Sequence, residues 1–527
     1  MSNVNPSALL RSLIVYAICV PLAIVVGYLL TELDYLSISF LGVLLGIMAF
    51  PLLMKWHYPL LIFSIGLPAT IFFLPGHPNI YLFMVVISLT ISTIERILDR
   101  TRPSMPSTAV RWPLLAFLLV IFITAKMTGG FGLRSMGSEV YGGKKYVFLV
   151  VGILSFFAIA ARPIPKKDAN LYITLYFAGG FFSFIQDLYT VTPSPLRFIY
   201  LVFPPSNTWG QAVSSQDIVV GVTRLGGVAA TGGAVLYWML ARHGIRDNFL
   251  LAKPWRVVVL AVAFMLMFLG GFRNALIGLA ITAGLIFYLE KLHRTGAMVA
   301  VVMAAIMGGA LLVPLAPLLP YTFQRTLSFL PLNVSADARL DAESSTQWRL
   351  DMWEALLPQV PKYLLLGKGY AFSAETFNES MGATAMFQKN IDAAENPLAL
   401  SSDFHSGPLS VVLSFGIWGV LVWLWYWAAG FFVVWRNYRY GDPVLRHINL
   451  YLYAAFVGKC FFFLFIFGGV VEDAGGFGAI IGLSIALNHG VMRRPKFAVQ
   501  AVPAPRPAPA PGRTPFPARP PFPALGR

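Results

Sequence analysis

Runs of about 20 apolar residues recur along the chain, separated by short polar stretches. They begin near Leu9, Tyr35, Tyr58, Asn79, Trp112, Tyr146, Leu171, Asp217, Trp255, Phe272, Ala297, Gly407, His447 and Glu472. A run of this length matches the rise of a helix across a bilayer core, where every backbone polar group must be paired within its own segment. The pattern predicts an all-α fold: a polytopic transmembrane helical bundle of about 12–14 spans. The run from Tyr58 is short and interrupted by proline, which sets the lower bound.

Two stretches break the rhythm. Residues 319–406 are polar enough to form one large loop over the membrane surface, with short helices of its own. Within it, Ser344-Ser345-Thr346 offers helix caps. Gln347 to Ala355 reads as an amphipathic helix, stopped by Pro358 and Pro361. Residues 495–527 are rich in Pro and Ala with scattered Arg, the composition of an extended, disordered tail. The expected organisation is therefore spans over 1–216, spans with arginine motifs over 217–318, the loop over 319–406, further spans over 407–494 and the tail.

Composition agrees. Hydrophobic residues make up 57% and charged residues 12% of the 527. Soluble domains carry about 25% charged residues. A soluble enzyme, a disordered chain and a disulfide-rich module are excluded. The two cysteines, Cys19 and Cys460, both lie in apolar runs and support neither a disulfide framework nor a cysteine metal site. The run after Arg11 has no small-residue cleavage pattern behind it and reads as a retained anchor.

A net charge of +16 suggests nucleic acid at first sight, but membrane topology accounts for it. With the N-terminus placed in the cytoplasm, 25 of the 39 Lys and Arg fall in cytoplasmic segments. The segment from Lys126 to Lys145, with four basic residues, is the exception that falls outside. This orientation puts the 319–406 loop on the extracytoplasmic side. It brings Arg224, Arg273, Arg349 and His405 to or near the outer membrane face. Guanidinium forks match phosphate oxygens bidentately, so three arginines suit a phosphate or diphosphate. Pro408 fits the first turn of a span, whose N-terminus adds positive dipole character beside His405. A neutral imidazole there is a candidate general base.

Plainer readings exist for each residue. A lone His at a helix start is commonly a cap. Arginines near span ends, as with Arg197 and Arg325, snorkel to headgroups. Lys459 has Glu472 or Asp473 as structural partners. The pairs Gly226-Gly227 and Gly232-Gly233 allow close helix packing, and the glycines of Gly367-Lys368-Gly369 permit a tight turn.

In order, Thr223-Arg224-Leu225-Gly226-Gly227, Phe272-Arg273-Asn274-Ala275, Arg349-x-x-x-Trp353, Leu366-Gly367-x-Gly369 and His405 followed by Gly416-Ile417-Trp418-Gly419 resemble the motif series of the O-antigen ligase and O-antigen polymerase superfamily. The resemblance covers residues 221–419. It implies a GT-C-type membrane glycosyltransferase of the bacterial cytoplasmic membrane, its site facing outward. Such an enzyme moves a glycan from an undecaprenyl diphosphate carrier to an acceptor hydroxyl, with no cofactor. By the same resemblance His405 is the base and Arg224, Arg273 and Arg349 hold the diphosphate in place of a metal ion. The implied partners are the lipid-linked glycan, a glycan or lipid acceptor, membrane lipids and polysaccharide export proteins, with no nucleic acid. His405-Ser406 stands where the family commonly has His-Asn, and Phe272-Arg273-Asn274 where Ser-Arg-Gly is more usual. Both departures leave polymerase and ligase open. Two rival functions are a flippase for the same lipid-linked glycans and a non-catalytic subunit of an export complex. Glu32 and Asp34, in the first outer loop, are read as solvated charges rather than metal ligands.

Overall fold

The computed structural model describes residues 6–31, 35–48, 50–74, 76–99, 109–132, 141–189, 191–205, 225–249, 252–373 and 404–494. Among these the regular structure is helical, and the only β pairing is two isolated bridges, Thr70 with Asn79 and Tyr141 with Phe372. The helices are α1 (Pro6–Thr31), α2 (Tyr35–Met48), α3 (Phe50–Ser64), α4 (Ile80–Leu98), α5 (Arg111–Met127), α6 (Gly143–Ala160) and α7 (Ala169–Phe181). They continue with α8 (Gly226–His243), α9 (Trp255–Leu269), α10 (Arg273–Leu289), α11 (Gly296–Leu315), α12 (Tyr321–Leu327) and α13 (Ala336–Leu356). The last three are α14 (Gly407–Tyr440), α15 (Arg446–Phe465) and α16 (Val470–Asn488). The fold is the all-α polytopic bundle that the hydropathy predicts.

Six helices among the described residues are long and apolar enough to cross a membrane on their own: those over 80–98, 143–160, 296–318, 407–440, 443–465 and 470–488. This is fewer than the apolar runs suggest, because some runs form helices just under that length, among them α5, α9 and α10 at 17, 15 and 17 residues, and others are divided. The run from Tyr58 starts inside α3, and that from Leu171 is cut short when α7 passes into a 3-10 turn at Phe182. The run placed from Asp217 becomes helical, within the described residues, at Gly226. Residues 217–224, Glu32, Asp34 and the tail from Pro495 lie outside the described residues.

Close packing rests on small residues. Along α16, a Cβ on Gly478 would stand 2.9 Å from Ser155 Oγ, and one on Gly475 would lie against the Cα of Gly152 on α6. A Cβ on Gly232 would come within 2.5 Å of Ala263 O and Met267 N on α9. In lipid, such contacts supply the dispersion energy that water-driven burial does not. The centre is aromatic: Trp423 of α14 packs on Phe117, Phe463 and Phe477 from α5, α15 and α16.

One helix is broken in mid-span. Gly416 in α14 adopts φ 62°, ψ −159°. In a continuous helix the amide of Ile417 would donate to Leu413 O. Here it donates to Leu364 O at 2.6 Å, while Leu413 O and Ser414 O accept from Lys368 N (2.7 Å) and Gly369 N (3.0 Å). The Leu364–Gly369 strip thus fills the gap and pairs the groups that the break frees, the condition for irregular backbone at such a depth. A Cβ on Gly416 would lie 2.7 Å from Leu364 O. Gly416→Ala is expected to cost about 1–3 kcal/mol from backbone strain alone, with the overlap adding to it. A fall in the melting temperature of the detergent-purified protein is the measurement, and an unchanged value would remove the inserted strip from the account of stability.

Candidate active site

The helix that organises the site is longer than its sequence signal. α13 starts at Ala336 rather than after Ser344, because the Ser335 side chain accepts from Ala338 N and provides the cap. It ends at Leu356, where Leu357-Pro358-Gln359 turns as a 3-10 helix. Three arginines from separate segments converge on it.

Arg273, the first residue of α10, reaches α13 with one guanidinium nitrogen, Nη2, donating to Ala342 O (2.9 Å) and to Thr346 Oγ1 (3.3 Å). Arg349 stands on α13 itself, half-buried. Arg325, on the short α12, is the most deeply buried of the three, at 5% exposure. Its Nε pairs with Asp341 of α13, and its Nη1 donates to Gly271 O at 3.0 Å, two residues before Arg273. Burial holds the Arg349 guanidinium below its ordinary pKa, and the charge of Arg325 adds to the effect. Arg273 lies within the influence of both Arg325 and Arg349. One carboxylate, Asp341, joins this group and also accepts a long hydrogen bond from the Tyr321 hydroxyl (3.5 Å). Three cations against one anion leave a net positive site suited to an anionic ligand.

Arg325 corrects the sequence reading, which left it to snorkel to headgroups. Its partners are Gly271, 54 residues upstream, and Asp341, 16 residues downstream on another helix. No helical spacing connects such positions, so periodicity carries no sign of them. Arg224 lies outside the described residues, so the structure does not place it.

His405 stands immediately before the N-cap of α14, with Ser406 as the cap residue and Pro408 in the first turn. Its backbone is left-handed, φ 48°, which is uncommon outside glycine. Its ring meets Phe467 edge-on, with centroids 4.9 Å apart at 90°. Phe467 belongs to the turn between α15 and α16. Nearby, Gly407 packs directly on Phe463, and Val470 N donates to Ser410 Oγ at 3.0 Å. The start of α14, the end of α15 and the start of α16 therefore meet at one end of the bundle.

The arginine helix is fastened to this corner. Trp353, one turn beyond Arg349, donates from its indole N–H to Phe404 O at 3.0 Å. Met352 and Leu356 bury against Phe404, Leu409 and Leu413 around that bond. Arg273 and Arg349 thus share α13, and α13 is tied to the residue adjoining His405. Beside them, a cavity of about 560 Å³ is lined by α8, α10 and α15 with Met267 of α9 and Ile480 of α16, and its walls include Phe272 and Asn274, which flank Arg273. Its walls are largely apolar, with Lys459 as the charged group among the lining residues. No cluster of three or more His, Cys, Asp or Glu able to hold a metal occurs among the described residues.

Fold and site together define a multi-pass helical membrane protein with an arginine-rich site built on a loop helix at one end of its bundle. Residues 257–424 match the family model described as O-Antigen ligase. Over that stretch the chain is similar to the O-antigen ligase and polymerase superfamily, and the matched residues contain Arg273, Arg325, Arg349 and His405. No curated protein matches the chain.

Trp353→Phe keeps the ring packing but deletes the bond to Phe404 O. The expected loss is about 1 kcal/mol of stability, read as a lower melting temperature. An unchanged melting temperature would show that apolar packing alone holds α13 to the head of α14.

Proposed function

We propose that the protein is a metal-independent membrane glycosyltransferase. It moves a glycan from an undecaprenyl diphosphate carrier to an acceptor hydroxyl, as a polysaccharide polymerase or O-antigen ligase. The observation that carries this reading is the gathering of Arg273, Arg325 and Arg349 on one helix that is hydrogen-bonded beside His405. The family match over 257–424 supports the same class.

In this mechanism His405 accepts the proton of the acceptor hydroxyl as its oxygen attacks the anomeric carbon. The bond from that carbon to the diphosphate oxygen breaks, and the carrier leaves as an undecaprenyl diphosphate anion. Arg273 and Arg349 face that anion and stabilise the charge that develops on it, with Arg224 as a third ligand from the preceding motif. Arg325, already held by Asp341 and Gly271 O, sets the field and the position of the α10 head rather than gripping substrate. The loop charges favour a site on the outer face of the bacterial cytoplasmic membrane, where the glycan acceptor and polysaccharide export proteins would be met.

A flippase for the same lipid would be expected to carry its charges near the membrane midplane between repeated halves. The cluster here sits at helix ends and on a loop helix, which favours transfer. Purified protein in liposomes, given undecaprenyl diphosphate glycan without nucleotide, is expected to form a new glycosidic linkage. Redistribution of intact lipid across the bilayer without transfer would instead support the flippase.

His405→Ala is expected to lower kcat by at least about two orders of magnitude, the scale of general-base catalysis, while leaving membrane insertion intact. Normal turnover in that variant would remove His405 from the mechanism. Arg273→Lys or Arg349→Lys should raise the donor KM, because an ammonium cannot reproduce the fork geometry. An unchanged KM in both would count against diphosphate binding there. Activity should also withstand EDTA, and a loss reversed by added divalent cation would bring Glu32 and Asp34 back as metal ligands.

A further inference from the structure

An ion pair lies within the bundle, its lysine on the wall of the cavity that Phe272 and Asn274 also line. Lys459 of α15 pairs with Asp473 in the first turn of α16. Its ammonium also lies 5.3 Å from the centre of the Phe477 ring. A Cβ on Gly476 would come within 2.9 Å of the lysine chain, so glycine there gives the side chain its room. Charges in a membrane-spanning segment are costly, and a partly buried pair such as this one is poor evidence of stabilisation, because apolar residues of similar volume commonly serve the fold as well. The pair therefore calls for a second role.

The geometry points to one. Besides holding Lys459, Asp473 accepts the backbone N–H of Gly469 at 3.1 Å through its other oxygen. One carboxylate thus fastens the end of the Ile466–Gly469 turn to the middle of α15. That turn carries Phe467, against whose ring His405 packs edge-on at 4.9 Å. The next residue, Val470, donates to Ser410 Oγ, and Ser410 donates to Gly407 O, in the first turn after His405. Two short paths, one through the Phe467 ring and one through Ser410, lead from this turn to the residue that the proposed mechanism uses as base.

We infer that Lys459 and Asp473 are positioning residues: their ion pair clamps the α15–α16 turn so that Phe467 holds the His405 imidazole in its reactive orientation. This rests on the reading of His405 as the base. Neither residue touches substrate in this account, so its loss should act on turnover rather than on donor binding.

The test uses full-length protein in liposomes and two readouts, transfer kinetics and the rate at which diethyl pyrocarbonate modifies His405, followed by peptide mass spectrometry. Lys459→Met/Asp473→Leu removes the charges and the clamp but keeps the volume. Its melting temperature should fall only slightly, since apolar side chains of similar volume replace the ion pair and only the Gly469 N–H bond is lost. Its kcat should fall at least tenfold with donor KM within twofold, and His405 should be modified several times faster. Lys459→Gln/Asp473→Asn keeps a neutral hydrogen-bonded pair between α15 and α16 and an oxygen to accept Gly469 N–H, and should recover most of the lost kcat. Phe467→Ala, which leaves the ion pair in place, should reproduce the loss, and Phe467→Tyr should not. A kcat within twofold of normal in the Leu variant overturns the inference, as does a loss confined to donor KM. An Asn variant no better than the Leu variant also overturns it, since the charge rather than the clamp would then matter. If His405→Ala is fully active, it is the underlying mechanism that falls. An inactive His405→Ala beside a fully active Leu variant removes the clamp alone.

Discussion

The hydrogen bond from the Trp353 indole to Phe404 O is the contact on which the site depends. It joins a helix that carries Arg349 and receives Arg273 and Arg325 to the backbone next to His405. With the apolar cluster around it, it ties the cation cluster to the imidazole. The bond is sheltered by Met352, Leu356, Phe404, Leu409 and Leu413, so water competes for it poorly. Met352 and Leu356 belong to α13, and Leu409 and Leu413 lie in the first two turns of α14. The same apolar cluster therefore bridges the loop helix and the bundle.

The bundle below has to present a rigid end to that helix. Its means are the exclusion of side chains and the pairing of displaced backbone. Glycines on α16 and α8 let neighbouring helices approach to backbone contact. The break at Gly416 exchanges helical hydrogen bonds for bonds to the Leu364–Gly369 strip, which follows α13 in the chain. The loop is thereby held at two places, by Trp353 on Phe404 and by the strip in the helix break. Two anchors, on either side of His405, limit how far α13 can move relative to the imidazole.

Charge is handled differently at each depth. At the helix ends the arginines are only partly neutralised, by Asp341, and a positive field is left for a ligand. Within the bundle Lys459 and Asp473 neutralise each other and use their remaining hydrogen-bonding capacity on a turn. At the opposite ends of α14 and α16, Asn437, Asn449, Ser484 and Asn488 join through amide and hydroxyl bonds with no charge at all. A charge without a ligand or partner would cost most in the lipid interior, which is why the unbalanced ones stand at the ends.

By itself the sequence determined the class of fold, because the need to pair backbone inside lipid turns a row of 20 apolar residues into a helix with few alternatives. It also singled out Arg224, Arg273, Arg349 and His405, through a loop-charge topology that brings all four to the outer face and through the motif resemblance, and it offered Glu472 or Asp473 as a partner for Lys459. The start of α13 lies eleven residues before the expected Gln347, because nothing local marks Ser335 over Ser344-Ser345-Thr346 as the cap, whereas in the structure Gln324 accepts from Ser335 N and Arg325 pairs with Asp341 on the added turns. Arg325 was read as a headgroup contact for the same reason: its partners come from distant segments, and nothing local marks a guanidinium that will turn inward. The break at Gly416 and the strip that fills it were likewise decided by tertiary structure, since a glycine within an apolar run fits an unbroken helix equally well until another backbone arrives to take its hydrogen bonds.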